Sequence, residues 1–328
     1  MPPFLYLTAA DVRQALPMAE AIDAMREAFT QLSNRAVGMP PRMCVEPPGC
    51  SGFLLLMPCH SAVTERLSLK IIAQFPGNRE HGLPLIQALV ILLDAAYGTP
   101  LAILDGAALT AIRTGAAAGL ATQILARPEA GAAAIFGSGV QARTQLEAVC
   151  AVRPIREAMV FDQDAPAAAR YALEMSEQRG IPVRAARDPA EALRHASVVC
   201  CATTSRTPVF DDAHLAPGAH VNGVGSWKPE AAEIPVETVL RARVVVDHRE
   251  SAMEEAGDLL MPLRQGLIKA EHFKTELGEV LAGRCPGRQN ASEITLFKSV
   301  GVAAQDLFAA SQVVEKARRL GLGINLPR

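Results

Sequence analysis

Three small residues at fixed spacing, Gly137, Gly139 and Ala142, lie in the segment AIFGSGVQAR between a strand-like apolar run and a helix-like one. A G-x-G-x-x-A turn in that setting suits a dinucleotide pyrophosphate. The first glycine permits the tight turn, and the second lets the anion approach the backbone. The small third residue lets helix and strand pack closely. Ser138, Val140 and Gln141 complete the turn, whose unpaired N–H groups and helix dipole favour an anion. The next strand-like run ends VFDQD, which places Asp162 25 residues after Gly137. A carboxylate there accepts from ribose hydroxyls and repels a 2′-phosphate. Gln163 and Asp164 follow it rather than Arg or Lys, so NAD(H) is favoured over NADP(H). The competing reading of Asp162 is a cap for the helix that follows. Thr203, Thr204 and Ser205 end a later strand, where their hydroxyls would face the cofactor.

A second set of residues carries positive charge into apolar surroundings. Lys70 has Leu69, Ile71 and Ile72 as neighbours, Arg113 lies in an alanine-rich helix, and Arg42 sits in MPPRMC. A desolvated ammonium and a planar guanidinium fork both suit a carboxylate ligand. The alternative is that Lys70 and Arg113 form structural ion pairs and Arg42 is a solvated loop residue. Thr114, beside Arg113, is placed to donate to a cofactor phosphate. The seven histidines form no H-E-x-x-H and no zinc-type spacing with cysteine, and there is no G-x-S-x-G elbow. No metal site is expected.

The elements needed to position these residues show two regimes. Thr8 and Asp11 form a capping box, and Ile22, Met25, Phe29 and Leu32 recur at helical spacing. In LSLKIIAQF, Leu67, Leu69, Ile71, Ala73 and Phe75 alternate with Ser68, Lys70, Ile72 and Gln74, which predicts a strand. PLIQALVILLD and LAILD follow as further strands of an antiparallel sheet. From the helix LTAIRTGAAAGLATQILA onward, strands alternate with long helices, the pattern of a parallel α/β sheet with right-handed crossovers. The C-terminal VGVAAQDLFAASQVVEKARRLG reads as a pair of helices.

Composition excludes other classes. The net charge of −2 and 4% aromatic content give no surface for nucleic acid. Seven scattered cysteines without a C-x-x-C pair read as reduced thiols, with Cys200 and Cys201 in an apolar strand. The N-terminus lacks the basic region of a signal peptide, and no apolar run approaches the roughly 18 residues of a membrane span. A cytoplasmic protein with no membrane partner is expected.

These blocks, with LLLMPCH, KIIAQFPGN, LDGAALTAIRTGAAAGLA, PGAHVNGVGS, RVVVDHRE, EAGDL, LGEVLAGRCPGR and EITLFKSVG, resemble the ornithine cyclodeaminase/mu-crystallin family along nearly the whole chain. The resemblance implies a homodimer acting on a small amino or imino acid. It implies a Rossmann domain, residues 116–302, inserted in an α+β substrate-binding and dimerisation domain of residues 1–115 with 303–328. It makes Lys70 and Arg113 the catalytic clamp, adds Arg42, and places Val224 and Ser299 beside the nicotinamide. Members include cyclodeaminases, alanine dehydrogenases, cyclic ketimine reductases and crystallin-type binding proteins. Two departures separate this chain from the cyclodeaminases. Where they carry an aspartate after the GS of the strand-end turn, this chain has Trp227, its single tryptophan. Where they carry an acid ahead of LMP, it reads Leu54-Leu55-Leu56-Met57-Pro58. Trp227, Pro229 and Glu233 together look like the reductase-type members. The expected activity is therefore reduction of a pyrroline-2-carboxylate-type ketimine, with Trp227 at the substrate and Lys70 or water as proton donor. Ornithine cyclodeaminase, alanine dehydrogenase and a non-catalytic nucleotide-dependent binder are the alternatives.

Overall fold

The computed structural model describes residues 4–327, apart from the side chain of Arg79; residues 1–3 and 328 of the expected outer domain, and so the first residues of the N-terminus read above, lie outside the described residues. The chain divides into two compact units, Met1–Arg113 with Val302–Arg328, and Thr114–Gly301.

The first unit is built on a mixed eight-stranded sheet. Its strands are β1 (Phe4–Leu7), β2 (Val37–Gly38), β3 (Met43–Val45), β4 (Phe53–Ser61), β5 (Arg66–Gln74), β6 (Ile86–Asp94), β7 (Pro100–Asp105) and a C-terminal strand, Ile324–Leu326. The order is C-terminal strand, β1, β7, β6, β5, β4, β2, with β3 also paired to β4. Strands β4 to β7 are antiparallel neighbours as the alternation predicts, and β1 lies parallel to β7. Thr8 and Asp11 close their capping box at the helix Ala9–Ala15. The helix Met18–Ser33 buries Ile22, Met25, Phe29 and Leu32. The C-terminal segment is one helix, Ala303–Leu320, rather than a pair. It contains no Gly or Pro, and its stop is Gly321 in the left-handed conformation. It packs on β4, β5, β6 and the helix Met18–Ser33.

That packing turns β5 against its own hydrophobic pattern. Register pairs Met57, Lys70 and Val90 across β4, β5 and β6, and Cys59, Ser68 and Leu92 in the next row. Ser68 and Lys70 are buried. The rows Leu56, Ile71, Leu89 and Pro58, Leu69, Ile91 share the opposite face, where every one of these residues keeps solvent exposure.

The second unit holds seven parallel strands, β8 (Ala132–Phe136), β9 (Glu157–Phe161), β10 (Val183–Ala185), β11 (Val198–Cys201), β12 (His220–Gly223), β13 (Arg243–Val246) and β14 (Thr295–Lys298), in the order β10-β9-β8-β11-β12-β14-β13. Alternate residues feed separate cores on the two faces. Ala134, Phe136, Val199 and Cys201 enter one, and Ala133, Ile135, Val198 and Cys200 the other. The helix Gly106–Leu125 runs through the boundary between the units in sequence. Its last carbonyls and those just beyond it accept from two arginines, Arg153 to Gln123, Ala126 and Arg127, and Arg288 to Leu125. His220 is a core residue, bonded to Thr295 and Asn222 and pushed down to about 3 by burial. Among the described residues no helix is long and apolar enough to cross a membrane.

Candidate active site

The second unit's strand order reverses between β8 and β11, and ligands of such sheets bind at the carboxyl ends of the strands around that switch. Gly137 follows β8 with φ +95°, and a Cβ there would lie 2.8 Å from the Ala202 carbonyl oxygen. Gly139 is the N-cap of the helix Val140–Val152 without a side-chain cap, and a Cβ at Gly139 would meet nothing within 4 Å. Open space in front of uncapped N–H groups is the geometry a pyrophosphate needs. Ser138 donates to Asp162 Oδ2 from its N–H (2.8 Å) and its hydroxyl (2.7 Å). Asp164, not Asp162, caps the next helix, through Ala167 N at 3.0 Å. Arg143 donates to the Ser138 and Gly139 carbonyls while paired with Glu174, so the turn is gripped from behind. The residues present therefore fit a dinucleotide.

Past β11 and β12 the strand-end loops are held by buried carboxylates: Glu233, which the sequence marked only by its place after Trp227 and Pro229, and Asp247, which it did not mark. Glu233 accepts from Thr203 N–H (3.1 Å), the Thr203 hydroxyl (3.0 Å), Gly225 N–H (2.6 Å) and Ser226 N–H (3.3 Å). The Thr203 hydroxyl is thus directed at Glu233, the Ser205 hydroxyl at the Thr207 carbonyl, and Thr204 is exposed. The Ser299 hydroxyl donates to Asp247, which also receives Val300 and Gly301 N–H. Val224 is half-buried, its N–H on the Cys201 carbonyl. Thr114 is buried, and its carbonyl accepts from Gln145. Trp227 is half-buried against the apolar core of its unit, with Lys228 Nζ 5.5 Å from its ring centroid. One trio of metal-capable side chains, His248, Glu250 and Glu276, converges among the described residues. His248 pairs with Glu250 and Ser251, and Glu276 accepts Arg249 N–H, so each member already serves the local fold.

In the first unit, Lys70 and Arg113 share one carboxylate. Asp306 Oδ2 lies 2.8 Å from Lys70 Nζ and Oδ1 lies 3.1 Å from Arg113 Nε. Arg113 also donates to Gln305 Oε1, and all four residues are buried. The ion-pair reading of these cations is realised, through a residue 193 positions away from Arg113. The cluster still carries excess positive charge. Burial pushes Lys70 down to about 8, with Asp306 opposing and the positive charges of Arg113 and Arg42 adding to the shift. Cys59 beside Asp306 is pushed up to about 12 by burial and stays neutral. Arg42 is half-buried on the loop before β3. Leu55 lies on the Lys70 face of β4, one row from the Met57–Lys70 pair. A buried cationic pair set among apolar residues has the chemistry to receive a carboxylate.

The sequence as a whole matches the model of the ornithine cyclodeaminase/mu-crystallin family over residues 4–320. The chain belongs to that family. It is 37% identical to a Delta(1)-pyrroline-2-carboxylate reductase of Bacillus cereus over 320 residues, 97% of this chain and 98% of the relative. Among solved structures it is similar to the Delta(1)-pyrroline-2-carboxylate reductase of Thermococcus litoralis in complex with NADH and L-proline, with 40% identity and a TM-score of 0.95, covering 98% of this chain and all of that one. It is also similar to an archaeal alanine dehydrogenase dimer with bound NAD, with 35% identity and a TM-score of 0.92 over 99% of each chain. Family membership accounts for an α/β chain with a dinucleotide-type parallel sheet and for the blocks that carry Lys70, Arg113 and the glycine turn.

The sharing of Asp306 has a measurable consequence. Asp306→Asn keeps the shape but leaves two buried cations without their anion. Urea unfolding should show a loss of roughly 3–5 kcal/mol, the cost of breaking a buried ion pair from one side. A variant as stable as the parent would mean that the cations find other partners.

Proposed function

We propose that this protein is an NADH-dependent reductase of a small cyclic α-imino acid of the pyrroline-2-carboxylate type. The observation that carries the reading is the Lys70–Asp306–Arg113 cluster with Leu55 on the same sheet face, where a cyclodeaminase would present an acid. In this reading Lys70 and Arg113, assisted by Arg42, bind the substrate carboxylate. Ring carbons without a second ammonium suit Leu55 and Met57 rather than a carboxylate, and Trp227 stands in the sequence where the cyclodeaminases carry an aspartate. The glycine turn Gly137–Gly139, the helix start at Val140 and Gln141, Thr114, Asp162, Thr203–Ser205, Val224 and Ser299 hold the cofactor. NADH, when bound, supplies the hydride. Lys70 supplies the proton for the imine nitrogen, since an ammonium with its pKa near 8 gives up a proton more readily than an ordinary lysine. The role of the chain is orientation, charge complementarity and that proton. Preference for NADH over NADPH rests on Asp162 and the residues after it. Support for the substrate class comes from the curated relatives named as pyrroline-2-carboxylate reductases.

We also infer that a second copy packs on the open face of the sheet in the first unit. Leu56, Leu69, Ile71, Leu89, Ile91 and Leu93 are left partly in water there while Ser68 and Lys70 are buried on the other side. An apolar sheet face of this kind calls for a cover, and the archaeal alanine dehydrogenase neighbour is a dimer.

The test of function is NADH oxidation with pyrroline-2-carboxylate, set against release of ammonia from ornithine plus NAD. Imine reduction is expected; ammonia release without imine reduction would identify a cyclodeaminase, and NADH binding without turnover a binding protein. Turnover should fall above about pH 8 as one proton leaves Lys70. In Asp306→Asn that limb should move about one pH unit lower, because the anion that favours the charged lysine is gone. An alkaline limb that stays put would remove Lys70 as the titrating group. Trp227→Asp should cost about ten-fold or more in kcat/KM for the imine, equivalent to 1.4 kcal/mol; unchanged activity would make Trp227 purely a core residue. Sedimentation should give twice the 34.8 kDa chain mass. Leu89→Asp with Ile91→Asp should yield monomer, and a dimer surviving both changes would place the interface elsewhere.

A further inference from the structure

Glu233, Asp258 and Lys298 form an ionic cluster that the reaction just described does not use. Lys298 and Glu233 are fully buried and Asp258 is 1% exposed. Lys298 Nζ lies 2.6 Å from Asp258 Oδ2. Asp258 Oδ1 receives Glu233 N–H at 2.7 Å and Ile234 N–H at 2.9 Å. Burying three charges is costly, so such a group persists where it fixes something.

What it fixes is a pair of loops. Glu233 reaches the Thr203 loop after β11 with one oxygen and the Gly225–Ser226 loop after β12 with the other. Every polar atom of Ser226 is taken. Its N–H goes to Glu233, its hydroxyl donates to Asp258 and accepts from Lys298, and its carbonyl accepts from Lys298. Ser226 immediately precedes Trp227. Gly225 is small for the same reason: a Cβ there would lie 2.4 Å from the Thr203 carbonyl and 2.5 Å from Glu233 Oε2. The glycine therefore makes room for the carboxylate and the neighbouring loop.

We propose that Glu233, braced by Asp258 and Lys298, is a positioning residue that locks the two cofactor-side loops together and sets the direction of Trp227. This rests on the reading of the crevice as an NADH site. A carboxylate is required because all four partners are donors. A glutamine would turn its amide N–H₂ toward one donor pair and leave backbone N–H groups unsatisfied.

Trp227 is the single tryptophan, so its emission reports this loop directly, and energy transfer to NADH reports binding without catalysis. Glu233→Gln and Gly225→Ala strike the same junction from opposite sides. In both, Trp227 emission should shift to longer wavelength and the Kd and KM for NADH should rise roughly ten-fold. The KM for the imino acid should rise less than that for NADH, since its carboxylate is held by Lys70 and Arg113. A merely structural lesion would lower thermal stability without that split. Should Glu233→Gln not fold, Thr203→Val removes one hydroxyl bond and should move NADH affinity the same way by less. Folded variants with parental NADH affinity and Trp227 emission overturn the proposal while leaving the function standing. Wild-type protein that binds neither NADH nor NADPH overturns both.

Discussion

One carboxylate, Asp306, makes it feasible to keep both Lys70 and Arg113 out of water. Either cation alone in that environment would shed its charge or draw in solvent. Holding both on one aspartate leaves each with donors unspent, and it fixes the distance between them. The consequences spread through the first unit. The helix Ala303–Leu320 must lie across β4, β5 and β6 to deliver Asp306, so the polar face of β5 is turned inward. The leucine-bearing face is then left outward. The charge arrangement thus comes first, and the burial pattern of the sheet follows from it.

The second unit uses the same device for a different end. Asp162, Asp247, Asp258 and Glu233 all accept backbone N–H groups at strand ends or loops. An acceptor-only side chain can gather several donors that have no strand neighbour, and so turns irregular backbone into fixed geometry. The glycine turn is rigid for a related reason, since Arg143 ties its carbonyls while Asp162 ties Ser138. Loops built this way need little reorganisation when a cofactor arrives.

What the sequence revealed and what it hid divide along contact range. The glycine turn, the Thr8–Asp11 box, the strand alternation and the α/β succession are local, and they read correctly from spacing. Asp306 is invisible to any window, because its partners lie in β5 and in the helix that follows β7. Its signal was a Gln-Asp pair inside an apolar, alanine-rich helix, a place where charge is expensive. Lys298 in TLFKSVG and Asp258 in AGDLL carried the same signal. The alternation of β5 gave the strand but not its orientation, since periodicity cannot say which face a distant helix will cover. The helix pair expected at the C-terminus failed because alanine-rich sequence without Gly or Pro offers no reason to stop.

The charge count around Lys70 also bears on direction. Lys70 and Arg113 share one carboxylate, so a bound monoanion is favoured and an extra ammonium is disfavoured. Ornithine brings two ammonium groups to a place with Leu55 rather than an acid. A cyclic imino acid brings a carboxylate and a weakly basic nitrogen. In the proposed reaction the proton lost by Lys70 appears on the product nitrogen, which leaves the local charge unchanged at the moment of transfer. The hydride then leaves the product amine neutral, and once Lys70 and that amine have each taken up a proton from solvent two cations lie side by side. That repulsion weakens the hold on the product amine, whereas the imine, being weakly basic, meets no such penalty. A site whose excess positive charge is fixed by Asp306 thus favours the imine on the way in and the amine on the way out.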